Sequence, residues 1–377
     1  MMKKFILSAA VILVCFCGYS KGRLRDYGIT PGIFKTGENN AITDVKGVKV
    51  GHVTLRDGKD VCTGVTAIIP HEDNIYQKKC PAAVYVGNGF GKLTGYTQIK
   101  ELGNIETPII LTNTLSVAAG IQGLVTYTLN QKGNEKIKSV NAVVGETNDA
   151  GLNNIRKRAV TEEDVLNALR KAKSGPVEEG CVGAGTGTEH FGYKGGIGTS
   201  SRVLPASLGG YTVGVLVQTN YGGVLEIDGF PAGKALDNYS FKSKIEGEKN
   251  YSPDGSCMIV LITDAPVDAR SLERMAKRAM LGLGKTGSYA SNGSGDYVIA
   301  VSVNRDNLID DRNEFYYPAL LHDRSMSPLF EAALEATEEA LWNALFAAET
   351  TTSNGHTLEA FPVEKVVEMM KTQTYLK

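Results

Sequence analysis

The stretch NYSPDGSCMIVLITDAP, residues 250–266, changes character at a single step. A polar turn ends on Gly255, and Ser256 and Cys257 lead at once into Met258-Ile259-Val260-Leu261-Ile262, a run apolar enough to be a core strand. Ser256 therefore has two readings. A serine after glycine in a turn ordinarily has no chemical duty. Alternatively, Ser256 is a nucleophile held at the mouth of a strand. The histidines (His52, His71, His190, His322, His356) are scattered and none lies near Ser256, and no Gly-x-Ser-x-Gly elbow follows the leader described below. A Ser-His-Asp hydrolase is therefore hard to build here. A serine without a histidine can still be activated if it is a chain terminus, because its own α-amino group then serves as base. That amine has a reference pKa of about 7.7–8.0, close to working pH. The requirement is a cut between Gly255 and Ser256. A glycine before the serine suits this, because the strained backbone of an N-to-O acyl shift is open to a residue without Cβ.

Working outward, the flanking sequence is mixed in type. Asn40 to Leu55 alternates apolar and polar residues in strand fashion, and 64–70 and 82–86 are further β-branched runs. Residues 112–130 carry apolar side chains at helical spacing, with Asn113 or Thr114 as the expected cap. A strand is expected over 139–145, and Thr161-Glu-Glu-Asp164 opens a helix with a capping-box pattern that runs to about Ala172. Residues 211–219 read as a strand ending at Asn220, 257–263 as another, then an amphipathic helix through Leu272 and Leu283, a strand over 297–303 and a long helix from Pro328 to about Ala348. Helices and strands in mixed order, without a long linker or internal repeat, predict one large layered α/β (α+β) domain.

Two glycine-rich stretches invite nucleotide readings. Gly284-Lys285-Thr286 lacks the earlier glycine of a phosphate-binding loop, since position 279 is Ala, and it follows a helix; it reads as a helix end. Residues 183–198 contain seven glycines but no following helix, and read either as close backbone approaches or as one wall of a substrate cleft.

The 377 residues are 42% hydrophobic and 21% charged, with a net charge of −1 and 43 glycines. That balance gives no electrostatic footprint for nucleic acid. Met1 to Ser20 differs from the rest: a basic start, an apolar run from Phe5 to Cys17, and small residues at Gly18 and Ser20. The run is short for a membrane span, so it reads as a signal peptide cut after Ser20, sending the protein to the periplasm or outside the cell without stable membrane insertion. Attachment of lipid at Cys15 or Cys17 is the weaker reading, given Val14 and Phe16 before them. Cys62, Cys80, Cys181 and Cys257 remain, with no spacing that favours a pairing; with no CxxC pair and scattered histidines, neither a metal nor a cofactor is expected.

Gly255-Ser-Cys-Met-Ile-Val-Leu-Ile-Thr-Asp-Ala-Pro266 resembles the cleavage-site segment of the L-aminopeptidase/D-Ala-esterase/amidase family, which includes the β-aminopeptidases. The likeness extends in order through Asn40-Ala-Ile-Thr-Asp-Val45, Val50-Gly-His-Val-Thr54, Gly64-Val-Thr-Ala-Ile68, Gly87-Asn-Gly-Phe-Gly-Lys92, Thr107-Pro-Ile109 and Leu111-Thr-Asn-Thr114. It continues through Gly183-Ala-Gly-Thr-Gly187, Lys194-Gly-Gly-Ile-Gly-Thr199, Asn292-Gly-Ser-Gly-Asp296 and Glu335-Ala-Thr-Glu-Glu-Ala340. The resemblance implies a four-layer αββα sandwich, like N-terminal-nucleophile hydrolases but with different connectivity, shared with ornithine acetyltransferases. It implies self-cleavage into 21–255 and 256–377, with Ser256 as nucleophile and Ser294 and Asp296 orienting it. One branch of the family has Glu at the second of these positions. Asn220 would donate to the oxyanion, and Glu146 would meet the free amino group of a small peptide, amide or ester. Family members often carry an aromatic residue around the positions after Glu146, where this chain has Thr147-Asn148-Asp149; that departure bears on substrate choice, with Asn148 as a substrate-binding residue. A homo-oligomer of cleaved αβ units is also implied. The rival readings are an acyltransferase on the same architecture and a binding protein that has kept the fold.

Overall fold

The computed structural model describes residues 22–247 and 255–372, so the leader and most of the turn before Gly255 lie outside the described residues. In chain order, β1 (Lys49–Arg56), β2 (Cys62–Ile69) and β3 (Cys80–Gly89) precede α1 (Tyr96–Leu102), β4 (Asn104–Ile105), β5 (Ile109–Asn113), α2 (Val117–Leu129), β6 (Val143–Thr147) and α3 (Glu162–Lys171). A small hairpin, β7 (Glu189–His190) and β8 (Tyr193–Lys194), leads into β9 (Ile197–Val203) and β10 (Thr212–Asn220). After the single-turn helices α4 (Ala232–Ala235) and α5 (Lys242–Ile245) come β11 (Ser256–Thr263), α6 (Ala269–Lys285), β12 (Gly295–Ser302) and α7 (Ser327–Phe346). The hairpin β13 (Thr351–Ser353) and β14 (His356–Leu358) and helix α8 (Val363–Thr372) close the chain.

Two sheets stack face to face. The larger has the order β4-β3-β12-β11-β10-β9 and the smaller β1-β2-β5-β6. Side chains that alternate along each strand divide between two apolar layers. Met258, Val260 and Ile262 of β11 pack with Ile68, Ile109, Leu111 and Val143 of the smaller sheet. Cys257, Ile259 and Leu261 point the other way, into a layer formed with α6 and α7 that contains Leu272, Met275, Ala336 and Trp342. On the far side, Val65, Ala67, Ile110 and Val144 pack against Leu124 of α2 and Val165 and Leu169 of α3. The result is the expected αββα order, and it explains the unbroken apolar run after Ser256: a strand covered on both faces has no polar side. Trp342 is core, its indole N–H donating to the Glu226 carbonyl at 2.9 Å.

Local boundaries differ from the sequence pattern where side chains bind nearby backbone. Residues 40–48 are not strand. Ile42–Asp44 is a 3-10 turn, because the Asp44 carboxylate accepts the N–H groups of Asn39 at 2.9 Å and Ala41 at 3.0 Å. Thr112 and Asn113 finish β5, and α2 begins at Val117. The strand expected over 139–145 is displaced to Val143–Thr147. The Thr161 cap holds, its hydroxyl accepting from the Asp164 N–H at 3.3 Å. The α6 helix ends at Lys285, with the left-handed Gly287 just beyond, so Gly284-Lys285-Thr286 is a helix terminus.

Several of the quoted motifs build a buried ionic network instead of a site. The fully buried Arg202 donates to Glu335 and pairs with Glu339, both at 2.8 Å, and also donates to Ser200 Oγ at 2.9 Å. Arg25 reaches Glu339 at 2.7 Å, and Asn40 donates to the same carboxylate at 2.5 Å. These hydrogen bonds compensate the desolvation that makes a lone buried charge costly. They tie the start of the described chain to β9 and α7.

Candidate active site

The strand register assembles one cleft at the ends of both sheets. Ser256, first residue of β11, pairs with Asn220 at the end of antiparallel β10 and with Gly295 at the start of parallel β12. Ser256 shares the inward face of Met258, which packs against Gly145 at the end of β6, one residue before Glu146. Residues that are far apart in the chain thus face a single cavity of about 490 Å³, lined by Ser256, Asn220, Glu146, Asn148, Tyr221 and Phe90 among others.

Ser256 is 5% exposed. Its hydroxyl donates to the carbonyl oxygen of Gly255 at 2.5 Å and accepts a longer contact from the Gly295 N–H at 3.4 Å. Gly255 has little room for a side chain: a Cβ there would lie 3.2 Å from Tyr221 Cβ and 3.3 Å from Ser294 Oγ. Ser294 donates to Asp296 Oδ1 at 2.8 Å. The turn that presents this pair is held by Asn88, whose amide donates to the carbonyls of Ser291 at 3.0 Å and of Ser294. Asp296 reaches its serine without the extra methylene of Glu.

Burial pushes the Asp296 carboxyl up to about 6, against the opposing effects of the Ser294 hydroxyl and the Cys257 backbone N–H. Protonation below that value weakens the acceptor that orients Ser294. The expected outcome is a kcat/KM that falls as pH drops through about 6, with this acid limb absent from an Asp296→Asn variant in a pH–rate profile. Stability moves the other way. A raised folded-state pKa contributes stability that is complete below the unfolded value near 3.8 and is lost as pH rises through about 6. Acid inactivation from this group should therefore precede any loss of fold, which circular dichroism at the same pH values checks.

Asn220 is oriented by its surroundings. Its side-chain oxygen accepts the Glu189 N–H at 3.0 Å, which leaves the NH₂ end as a donor at the cleft. Glu146 is 3% exposed. It accepts the Lys92 N–H at 2.9 Å and the Thr114 hydroxyl, with Lys92 Nζ at 3.9 Å. A buried carboxylate with these partners facing a cavity can receive a cationic amino group. Asn148 lines the same cavity from an exposed position, its side-chain oxygen accepting from the Ala150 N–H at 2.9 Å.

Of the expected site residues, Ser256, Asn220, Glu146 and Asn148 line this one cavity together with Gly255, whereas Ser294 and its acceptor Asp296 sit behind Gly255, with Ser294 Oγ 3.3 Å from where a Cβ on that residue would lie. Of the glycine-rich segment, Gly187 lines the cleft, whereas Gly185 and Gly196 allow backbones to approach: a Cβ on Gly185 would lie 2.4 Å from the Ile197 nitrogen. Different glycines of that segment thus do different things, one lining the cavity and the others letting backbones approach. Lys92 and Thr114 stand in the quoted motifs, where the sequence gives neither a role at the site. Leu358, which arrives from the β13–β14 hairpin, carried no signal in sequence. His190 lies behind Tyr221, ring centroids 4.5 Å apart. Burial pushes its imidazole down to about 3, so it is a poor base. The cysteines of the described residues are free thiols.

Known proteins share this fold. The pattern of peptidase family S58 matches residues 40–358. The chain is 37% identical over 391 aligned positions to the beta-peptidyl aminopeptidase BapA of Sphingosinicella microcystinivorans, covering 98% of this chain and 97% of that one. The solved structure of the PH0078 protein from Pyrococcus horikoshii OT3 superposes with a TM-score of 0.85 at 44% identity, covering 94% of this chain and 99% of that one. The L-aminopeptidase D-Ala-esterase/amidase of Ochrobactrum anthropi, described as a prototype for serine aminopeptidases and a variant of the Ntn hydrolase fold, gives a TM-score of 0.85 at 34% identity, with 94% and 99% covered.

Proposed function

Because the chain belongs to peptidase family S58 and is a hydrolase of the aminopeptidase kind, we propose that it is a self-processing serine aminopeptidase whose nucleophile is Ser256. The observation that carries this reading is the convergence of Ser256, Asn220 and Glu146 on one cleft.

In the first reaction the Ser256 oxygen attacks the Gly255 carbonyl carbon and the Gly255–Ser256 C–N bond breaks. The departing nitrogen takes a proton and becomes the free amino group of Ser256. Water then hydrolyses the resulting ester, giving a Gly255 carboxylate and a restored Ser256 hydroxyl. The placement of that hydroxyl on the Gly255 carbonyl oxygen, at 2.5 Å, supports the first step. In turnover, Glu146 holds the substrate's ammonium group and the Ser256 oxygen attacks the neighbouring carbonyl. The new α-amino group accepts the hydroxyl proton and returns it to the leaving amine. The Asn220 NH₂ stabilises the oxyanion, and water releases the amino acid from the acyl-enzyme. The substrates are short peptides, amides or esters with a free amino end, and the processed unit assembles as a homo-oligomer outside the cytoplasm.

A panel of chromogenic amino-acid amides, each free and N-acetylated, tests the role of Glu146. Acetylation should remove turnover by the wild type. Glu146→Gln, which keeps the shape that Lys92 and Thr114 hold, should raise KM about tenfold or more for the free-amine substrates, in keeping with one lost charge-assisted contact. Equal turnover of free and acetylated substrates would sink the proposal that Glu146 selects an amino terminus.

A further inference from the structure

Beyond the catalytic cleft lies a second chamber of about 160 Å³ that shares one lining residue with it, Glu189. Its floor is glycine. A Cβ on Gly192 would lie 3.2 Å from Asn238 Nδ2, and one on Gly222 would lie 3.3 Å from Ser240 Oγ, so side chains at these positions would intrude on the space. Its lining includes the aromatic residues Tyr239 and Tyr289, with the buried Phe191 ring packed behind them on His190 and Tyr221. Among the described residues that line it, Glu189 alone bears a formal charge. A carboxylate beside aromatic rings is a chemistry that selects cations, through a charge-assisted hydrogen bond and ring-face attraction.

The position of the chamber decides which part of a substrate reaches it. Glu146, with Lys92 and Thr114, lines the first cavity and none of the three lines the second. Glu189 instead adjoins the oxyanion donor, its backbone N–H bonded to Asn220 at 3.0 Å. A substrate with its amino group at Glu146 and its carbonyl at Asn220 must send its remaining, carboxyl-side portion onward, past Asn220 to Glu189. We propose that this chamber is the leaving-group subsite, and that Glu189 makes it prefer a leaving residue with a positively charged side chain. The inference rests on the aminopeptidase reading above and adds the class of residue released.

The test uses the purified, full-length-expressed protein and three dipeptides that share one amino-terminal residue, followed by lysine, norleucine or glutamate. The chromogenic amide of the same amino-terminal residue serves as reference. Expected is a kcat/KM about tenfold higher for the lysine peptide than for the norleucine peptide in the wild type. That ratio should fall to near one in Glu189→Gln, and the order of lysine and glutamate should reverse in Glu189→Lys. If the wild type cleaves the three dipeptides alike, or Glu189→Gln leaves the ratio unchanged, the subsite assignment is overturned while the aminopeptidase reading stands. If the wild type turns over neither the dipeptides nor the chromogenic amide, the underlying reading fails and takes this assignment with it.

Discussion

A Ser256→Ala chain is expected to remain one uncut polypeptide under denaturing conditions, whereas the wild type separates into two pieces whose masses meet between residues 255 and 256. Hydrolysis of amino-acid amides should fall at least about 10⁴-fold, because both the nucleophile and the liberated amino group are lost together. The structure offers little to replace them: burial holds His190 as a weak base behind Tyr221, and Ser294 already donates to Asp296 at 2.8 Å. Intact mass measurement decides the question. An uncut wild type, or an alanine variant that is cut at the same bond, would overturn Ser256 as the agent of processing. A processed wild type matched in rate by the alanine variant would overturn it as the nucleophile of turnover.

The second large effect is expected at Asn220. Replacing it by Asp keeps an oxygen for the Glu189 N–H, at 3.0 Å in the native arrangement, but removes the NH₂ donor that faces the cleft. One well-placed oxyanion donor is worth about 10²–10³ in kcat. Asn220→Asp should lose at least that much, since a carboxylate also repels the developing charge. The same oxyanion forms when the Gly255 carbonyl is attacked, so processing should slow in parallel. Time-resolved intact mass for processing, and kcat measured on the fraction already cut, separate the two effects. A variant with normal kcat and normal processing would show that the oxyanion is stabilised elsewhere, and the Gly295 N–H, 3.4 Å from Ser256 Oγ, would be the next group to examine.

Sequence disclosed the layers well because binary pattern and burial agree there. The run after Ser256 is apolar at every position since both faces of β11 are covered, and the capping box at Thr161 is a local device that tertiary contacts do not override. The pattern misled where a side chain competed for the backbone: Asp44 turns a strand-like alternation into a 3-10 turn, and Asn113, expected as a helix cap, ends β5 with its side-chain oxygen accepting from the Leu115 N–H at 3.1 Å. The site residues were legible through family resemblance more than through chemistry. No spacing in the chain links Glu146 to Ser256; the stacking of β6 on β11 through Gly145 and Met258 does so. The motif around Glu335 and the arginine at 202 showed the opposite limit, because charged residues at family positions proved to be a buried structural network. Glu189 and Leu358 reach the cleft through a hairpin each, which no local pattern announces.

The order β4-β3-β12-β11-β10-β9 has a thermodynamic corollary. Strands β11 and β12 follow residue 255 in the chain, yet they lie between β3 and β10, which precede it. A nick before Ser256 would leave this interleaved sheet in place while changing the molecularity of its folding. The uncut chain folds in a first-order process with every strand at high effective concentration, whereas unfolding a nicked chain releases two polypeptides that must meet again. The thermal midpoint of the nicked form would then rise more steeply with protein concentration than that of the Ser256→Ala form. Processing of this kind makes the first folding of the chain unimolecular and every later one an encounter between two polypeptides.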